Sequence, residues 1–292
     1  MRRAALVGKT LRDTRGATIS IGAVTAAMAL LVILVYPSYR DSLAGFEIPE
    51  AMRGFLGEAT DIGSPEGFIT AEFFSWIPLL LITLAIIGGT AAFAGEEGAG
   101  TLDLLLAQPV KRWRLALEKA VALAVSITLA ALTSLIGFAV GKVWIDFELG
   151  MGRITAAVFS MLPITFLFLT LSLWASAALP SRSAAATLVT GLVVVSYFLQ
   201  ILGEAAPALQ TMRKVSPFYW SEPSRVVIGG FDWLRAVALL LVATAFLALA
   251  IWSFEGREIA AVGREWSLRM WSPTRLRRRL GRPPQRPEAA ST

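Results

Sequence analysis

The sequence predicts an all-α polytopic membrane protein with six transmembrane helices, an N-terminal interfacial helix and a cytoplasmic coupling helix. Three observations carry that prediction. Of the 292 residues, 55% are hydrophobic and only 16% charged, with a mean hydropathy of +0.64, which a multi-spanning chain needs and a soluble core of this size does not. Six apolar runs, at 17–36, 71–94, 115–140, 154–179, 184–202 and 233–254, are each long enough to cross a hydrocarbon layer of about 30 Å. The ionisable residues fall between or at the ends of these runs, as with Glu72, Glu118, Lys119, Lys142, Asp232, Arg235 and Glu255. Residues 1–256 therefore read as one six-span membrane domain and 257–292 as a basic tail.

Residues 1–16 carry Arg2, Arg3, Lys9, Arg12 and Arg15, with Ala4, Val7 and Leu11 on one helical face, which suits a helix lying along the inner interface. Gly8-Lys9-Thr10 matches the end of a phosphate-binding loop, but Arg3 stands where that motif requires its first glycine, so the motif is rejected. The first run is read as a retained span, because it is long and no small-x-small cleavage site follows it. An acidic segment with Glu47, Glu50, Glu58, Asp61 and Glu66 comes next, including a short amphipathic stretch from Pro49 to Leu56.

The second span contains Pro78 and the small residues Gly88, Gly89, Ala91 and Ala92, which let helices approach closely in lipid. The third ends in Gly137-Phe138-Ala139-Val140-Gly141, either a packing face or a coincidence of a glycine-rich chain. Pro163 lies inside the fourth span, and Pro180-Ser181-Arg182-Ser183 makes a short inner turn. The fifth span is dotted with Thr187, Thr190, Ser196, Tyr197 and Gln200. An outer segment follows, with Lys214-Val215-Ser216-Pro217-Phe218-Tyr219-Trp220, whose aromatics suit a membrane interface. After the sixth span the tail is amphipathic around Trp266, Leu268, Met270 and Trp271. It turns basic at Arg275, Arg277, Arg278, Arg279 and Arg282, a pattern expected to rest on anionic lipid before a disordered end.

With both termini inside, more than two thirds of the 27 Lys and Arg residues face the cytoplasm, as the positive-inside rule requires. The chain has no histidine and no cysteine, which removes Ser-His-Asp triads, thiolate nucleophiles and the usual zinc sites. The chain is not expected to be an enzyme by itself or to bind a cofactor or metal. The span interiors offer no acidic or basic group of the kind an ion-coupled carrier places at mid-membrane. The energy for any transport must then come from another chain.

The connector from Ala94 to Arg114 is where that energy would enter. Gly95, Gly98 and Gly100 break the preceding helix. Thr101 can cap a new one, Asp103 suits its dipole, and Pro109 ends it. Lys111, Arg112 and Arg114 mark the return to the membrane, and Leu102, Leu104, Leu105 and Leu106 are free to dock on a cytoplasmic partner. The competing reading is an ordinary inner loop whose leucines lie among headgroups.

These residues resemble the type-2 ABC transporter permeases, a family that includes ABCG-like half-transporters and bacterial drug and polysaccharide exporters. The likeness runs from Ser64-Pro65-Glu66-Gly67-Phe68 through Gly95-Glu96-Glu97, Gly100-Thr101-Leu102-Asp103-Leu104-Leu105-Leu106 and Pro109-Val110-Lys111-Arg112-Trp113-Arg114 to Lys119. Ser216-Pro217-Phe218 and Gly229-Gly230-Phe231-Asp232 add to it. The resemblance implies two permease copies, identical or related, joined to two ABC-type ATPase subunits that carry ATP and Mg. It implies that Glu96, Glu97, Gly100, Thr101, Leu102, Asp103, Leu104, Leu105 and Leu106 couple to the ATPase. It places Phe73, Phe74, Trp76, Thr187, Thr190, Tyr197 and Gln200 as candidates for the substrate path, each with an ordinary packing or lipid-facing role as the alternative. A bacterial inner membrane and export of an apolar or amphipathic cargo are the corresponding expectations. Two other classes compete: a membrane-embedded enzyme built on Glu58, Asp61 and Glu66, and a carrier working without ATP.

Overall fold

The computed structural model describes residues 4–43, 64–101, 111–205 and 209–256, all within one compact unit. Helix α1 is Ala4–Leu43, α2 Pro65–Gly98, α3 Arg112–Trp144, α4 Met151–Ala178 and α5 Arg182–Ala205. Three short helices follow, α6 (Gln210–Arg213), α7 (Pro217–Trp220) and α8 (Pro223–Gly229), before α9, Trp233–Gly256. Six of these, α1 to α5 and α9, are long and apolar enough to cross a membrane. Among the described residues there is no strand.

The interfacial helix and the first span, expected as separate elements, are one continuous helix of 40 residues. Nothing between Ala4 and Tyr36 interrupts it: the first internal proline is Pro37, and Gly16 sits in open space, where a helical glycine costs only about 1 kcal/mol. At 1.5 Å per residue the helix is about 60 Å long, twice the hydrocarbon thickness. It is therefore longer than one crossing needs, and its charged first turns continue the span without a break in the helix. The second span is also longer than expected, because Ser64 caps it, accepting from Gly67 N at 3.1 Å with Pro65 as its first residue.

Two helices form the interior. Most of α2 and α4 is buried, 67% and 72% of their apolar windows, against 22% for each of α5 and α9. Small residues allow this. A Cβ on Gly89 would meet Ser172 Cβ at 2.5 Å, so α2 and α4 pack nearly backbone to backbone there. Pro163 divides α4 at Met161, where a turn separates its two helical halves.

The glycine pair ending the third span is a packing face. A Cβ on Gly137 would lie 2.1 Å from the Ala26 carbonyl oxygen, and one on Gly141 would strike Ile33. Further along the same seam the Thr133 hydroxyl donates to Gly22 O at 2.7 Å, and the Thr25 hydroxyl to Ala130 O at 3.0 Å. Hydroxyl bonds of this kind hold helices together where lipid offers no hydrophobic drive.

The strict alternation of α1 to α5 and α9 gives the bundle two ends. The first carries the start of α1, the end of α2 and the start of α3. The second carries α6, α7, α8 and the start of α9. The stretch from Pro49 to Leu56, the residues Leu102 to Leu106 and the tail 257–292 lie outside the described residues.

Candidate functional site

At the first end, α2 does not finish as a simple α-helix. Residues Ala91–Gly95 widen into a π-turn, followed by a last α-turn, Glu96–Gly98. A π-turn leaves backbone groups out of register, and two side chains collect them. The buried Ser176 hydroxyl of α4 donates to Thr90 O at 3.0 Å and accepts from Phe93 N and Ala94 N at 3.2 and 3.0 Å. The Lys119 ammonium of α3 donates to Ala92 O and to Glu96 Oε2.

Lys119 is only 3% exposed, and a buried ammonium is tolerable only when its charge is met. Glu96 supplies the charge, and the Phe93 ring lies 5.6 Å from Lys119 Nζ. Lys9, near the start of α1, approaches Glu96 Oε1 at 3.6 Å. One carboxylate thus touches cations on α1 and α3 while standing on α2. Phe93 also stacks on Phe254 at 4.3 Å, and Arg112 donates to the carbonyls of Phe254 and Glu255 at 3.4 Å, drawing in the end of α9.

The connector leaves this cluster through a defined turn. Gly100 has φ +68°, the left-handed conformation that glycine adopts freely. Thr101 N donates to Glu96 O at 3.0 Å and Gly100 N to Glu97 O at 3.0 Å, the paired bonds that close a helix at a glycine. The Thr101 hydroxyl donates to the same Glu96 carbonyl at 3.2 Å. Glu96, Glu97, Gly100 and Thr101 are thus gathered in one turn, half-buried at Glu96 and Glu97 and open at Gly100. The next residues, Leu102 to Leu106 with Asp103, lie outside the described residues. Beside the turn, a groove of about 240 Å³ is lined by Thr10 and Asp13 of α1, Gly88 of α2, Leu123 of α3 and Arg182 of α5.

The second end has its own ionic cluster, centred on Glu222 just before α8. Its Oε1 accepts from Gln200 Nε2 of α5 at 2.9 Å and from Arg213 of α6, and its Oε2 faces Arg225 of α8 and, at 3.6 Å, Arg235 of α9. Tyr219 lies between two of these guanidiniums, 5.0 Å from Arg213 and 5.2 Å from Arg235. Ser216 caps α7, accepting from Phe218 N at 3.2 Å, and its hydroxyl donates to Ser196 O of α5 at 2.7 Å. Phe218 is thereby turned into the core against Tyr197 and Phe168, so this aromatic stretch packs inward as well as facing an interface.

The seven path candidates divide by position. Phe73 and Phe74 are buried, Phe73 against Phe138 at 4.7 Å. Gln200 is buried in the Glu222 cluster, and Tyr197 is half-buried against Phe218. Trp76, Thr187 and Thr190 are exposed on the surface of the chain.

Sequence reasoning passed over Ser176, Glu222 and the partnership of Lys119 with Glu96. A lysine just inside an apolar run was the available signal for the last. A single glutamate among Arg213, Lys214, Arg225 and Arg235 was the signal for Glu222.

Among the described residues, no group of three or more acidic side chains is placed to hold a metal. A family model described as ABC-2 family transporter protein matches residues 4–259. Comparison with curated proteins finds no match.

Proposed function

This chain belongs to the ABC-2 transporter family, and from that premise we propose that it is the membrane subunit of an exporter powered by ATPase subunits on separate polypeptides. Membership already makes it a multi-pass permease component associated with an ABC ATPase. The proposal adds a direction, outward, a pair of permease copies, cytoplasmic termini in a bacterial inner membrane, and ATP with Mg bound on the partner. The cargo is an apolar or amphipathic molecule, because the protomer surface at Trp76, Thr187 and Thr190 offers aromatic and hydroxyl groups without fixed charge. The chain itself catalyses nothing in this scheme.

One observation carries the coupling role of the connector: Lys119 binds Glu96 across it. Glu96 ends α2 and Lys119 lies about two turns inside α3, so the ion pair closes the loop between them at its base. A push on Thr101 and the leucines that follow is then delivered to two helices together. Without the pair, the same push would be absorbed by bending at Gly98 and Gly100.

The test is to purify the tagged chain in mild detergent from its native host and identify its companions by mass spectrometry. An ABC-type ATPase in near-equal amount is expected. A folded chain that arrives without one overturns the reading and favours a carrier or enzyme acting alone.

A further inference from the structure

Helix α5 is held unequally along its length. Like α9 it is largely unburied, but α9 lies closely along α4 while α5 touches α4 more sparsely. At the first end α5 buries Ala185 and Val189 in the apolar core with Ile82 and Ala175, contacts without direction, and its polar hold on α2 is the long contact from Arg182 Nη2 to Ile87 O, 3.4 Å. At the second end the hold is dense. Gln200 bonds Glu222 at 2.9 Å and accepts from Arg213 Nε at 3.3 Å, Ser196 accepts from Ser216 at 2.7 Å, and Tyr197 packs on Phe218.

Glu222 converts that hold into a link with α9. Its side chain is 10% exposed, and it meets guanidiniums from α6, α8 and α9 as well as the Gln200 amide. Arg235, on the first turn of α9, is fixed in turn by Asp232 at 3.0 Å and by Tyr219 O at 3.3 Å. Guanidiniums sharing a carboxylate and flanking an aromatic ring hold direction as well as distance, because the planar fork is already organised. This linkage gives α5 one fixed end.

We propose that Glu222 is a positioning residue of the transport cycle, clamping the second end of α5 to α9 so that α5 swings about that end and moves most at Arg182. The proposal rests on the permease reading for its purpose but not for its geometry. Gln200 has a mechanical role in it, as the side chain through which α5, among the described residues, grips the carboxylate.

The chain has no cysteine, so engineered pairs report without background. Spin labels at Leu202 and Leu234 span the clamped end, and labels at Ser183 and Ala99 span the other; all four residues are exposed. In the nucleotide-free protein in lipid bilayers, pulsed dipolar spectroscopy should give a narrow distance distribution for the first pair and a broad one for the second. Gln200→Leu, which removes the α5 amide from Glu222 and Arg213 and leaves the carboxylate and its arginines in place, should broaden the Leu202–Leu234 distribution at least twofold and leave Ser183–Ala99 unchanged. Glu222→Gln should broaden it further if that variant folds. Equal widths at the two ends of the unaltered protein, or no broadening in Gln200→Leu, would overturn the clamp. Adding ATP to the purified complex tests the other reading separately. A shift confined to Ser183–Ala99 supports ATP-driven movement about the clamp, and absence of a shift counts against the coupling role while the widths still decide the clamp.

Discussion

The two ends of the bundle each centre on one glutamate, but they join different kinds of neighbour. Glu96 pairs with Lys119 across a connector, so it ties α2 to the helix that follows it in the chain, and Lys9 adds α1 from one side. Glu222 gathers α5, α6, α8 and α9 around arginines. Lysine brings a compact charge on a flexible stem, whereas arginine brings a rigid fork that also lies against Tyr219. On the proposed coupling role, the first end passes a displacement along and the second resists one. The difference teaches that charge count alone does not distinguish a transmitting contact from a fastening one; the elements it joins do.

The most damaging way to break this contrast is Glu222→Ala. It takes from Arg213, Arg225 and Arg235 the one carboxylate that all three face among the described residues. Removing one partner from a buried ionic group costs about 3–5 kcal/mol, less here to the extent that Arg225, 30% exposed, can turn to water. The expected result is a fall of several degrees in Tm in detergent. An unchanged Tm would show that the cluster fastens nothing.

Lys119→Met comes second. It keeps the volume of the side chain but removes the cation facing Glu96, which is 20% exposed and keeps Lys9 nearby, and it takes the ammonium donor from Ala92 O. The stability loss should be smaller than for Glu222→Ala, because fewer like charges are stranded, while the functional loss should be larger. ATP hydrolysis by the complex should continue while transport falls at least tenfold. Equal loss of both activities would point to misfolding at the first end, not to failed transmission.

Much of the architecture was legible in the sequence because its signals are local. Six apolar runs, Pro163 dividing α4 and the helix stop at Gly100 each act over a few residues and stand where the pattern puts them, whereas Gly95, expected to break the helix, lies inside it in the π-turn. The continuity of α1 was missed because a charged face was read as a boundary, although a helix can carry charge straight out of a membrane. The partnership of Lys119 with Glu96 was harder still. It depends on the angle at which α3 returns beside α2 after the connector, and no local pattern encodes that angle. The Glu222 cluster draws on residues from Gln200 to Arg235 on four helices, so its members stood in the sequence without a sign that they meet.

Thr101→Pro should have a middling effect. Proline removes the N–H that bonds Glu96 O, and the hydroxyl bond to the same carbonyl goes with it. Two hydrogen bonds of about 0.5–1.5 kcal/mol each are at stake, so Tm should fall only slightly. Transport per ATP hydrolysed should fall much more, because the turn that aims the connector is lost while the Lys119 pair survives. Glu97→Ala, altering the same turn without touching its backbone, should show a weaker form of the same uncoupling. Full transport by both variants would break the assignment of the first end as the transmitting one.

The smallest effect sharpens the comparison most. Lys9 is 43% exposed and approaches Glu96 at 3.6 Å, and a surface ion pair of that kind contributes about 0–1 kcal/mol. Lys9→Gln should leave Tm within error. Its consequence for transport depends on whether α1 is a passenger or a member of the moving unit. Because α1 is already joined to α3 through Gly22, Thr25 and Thr133, the loss of Lys9 should leave α1 following α3, and transport should stay within twofold of the unaltered protein. If transport collapsed while Tm held, the charge on α1 would itself transmit the movement. The transmitting element at the first end would then be the three-helix contact of α1, α2 and α3, with the α2 and α3 pair insufficient alone.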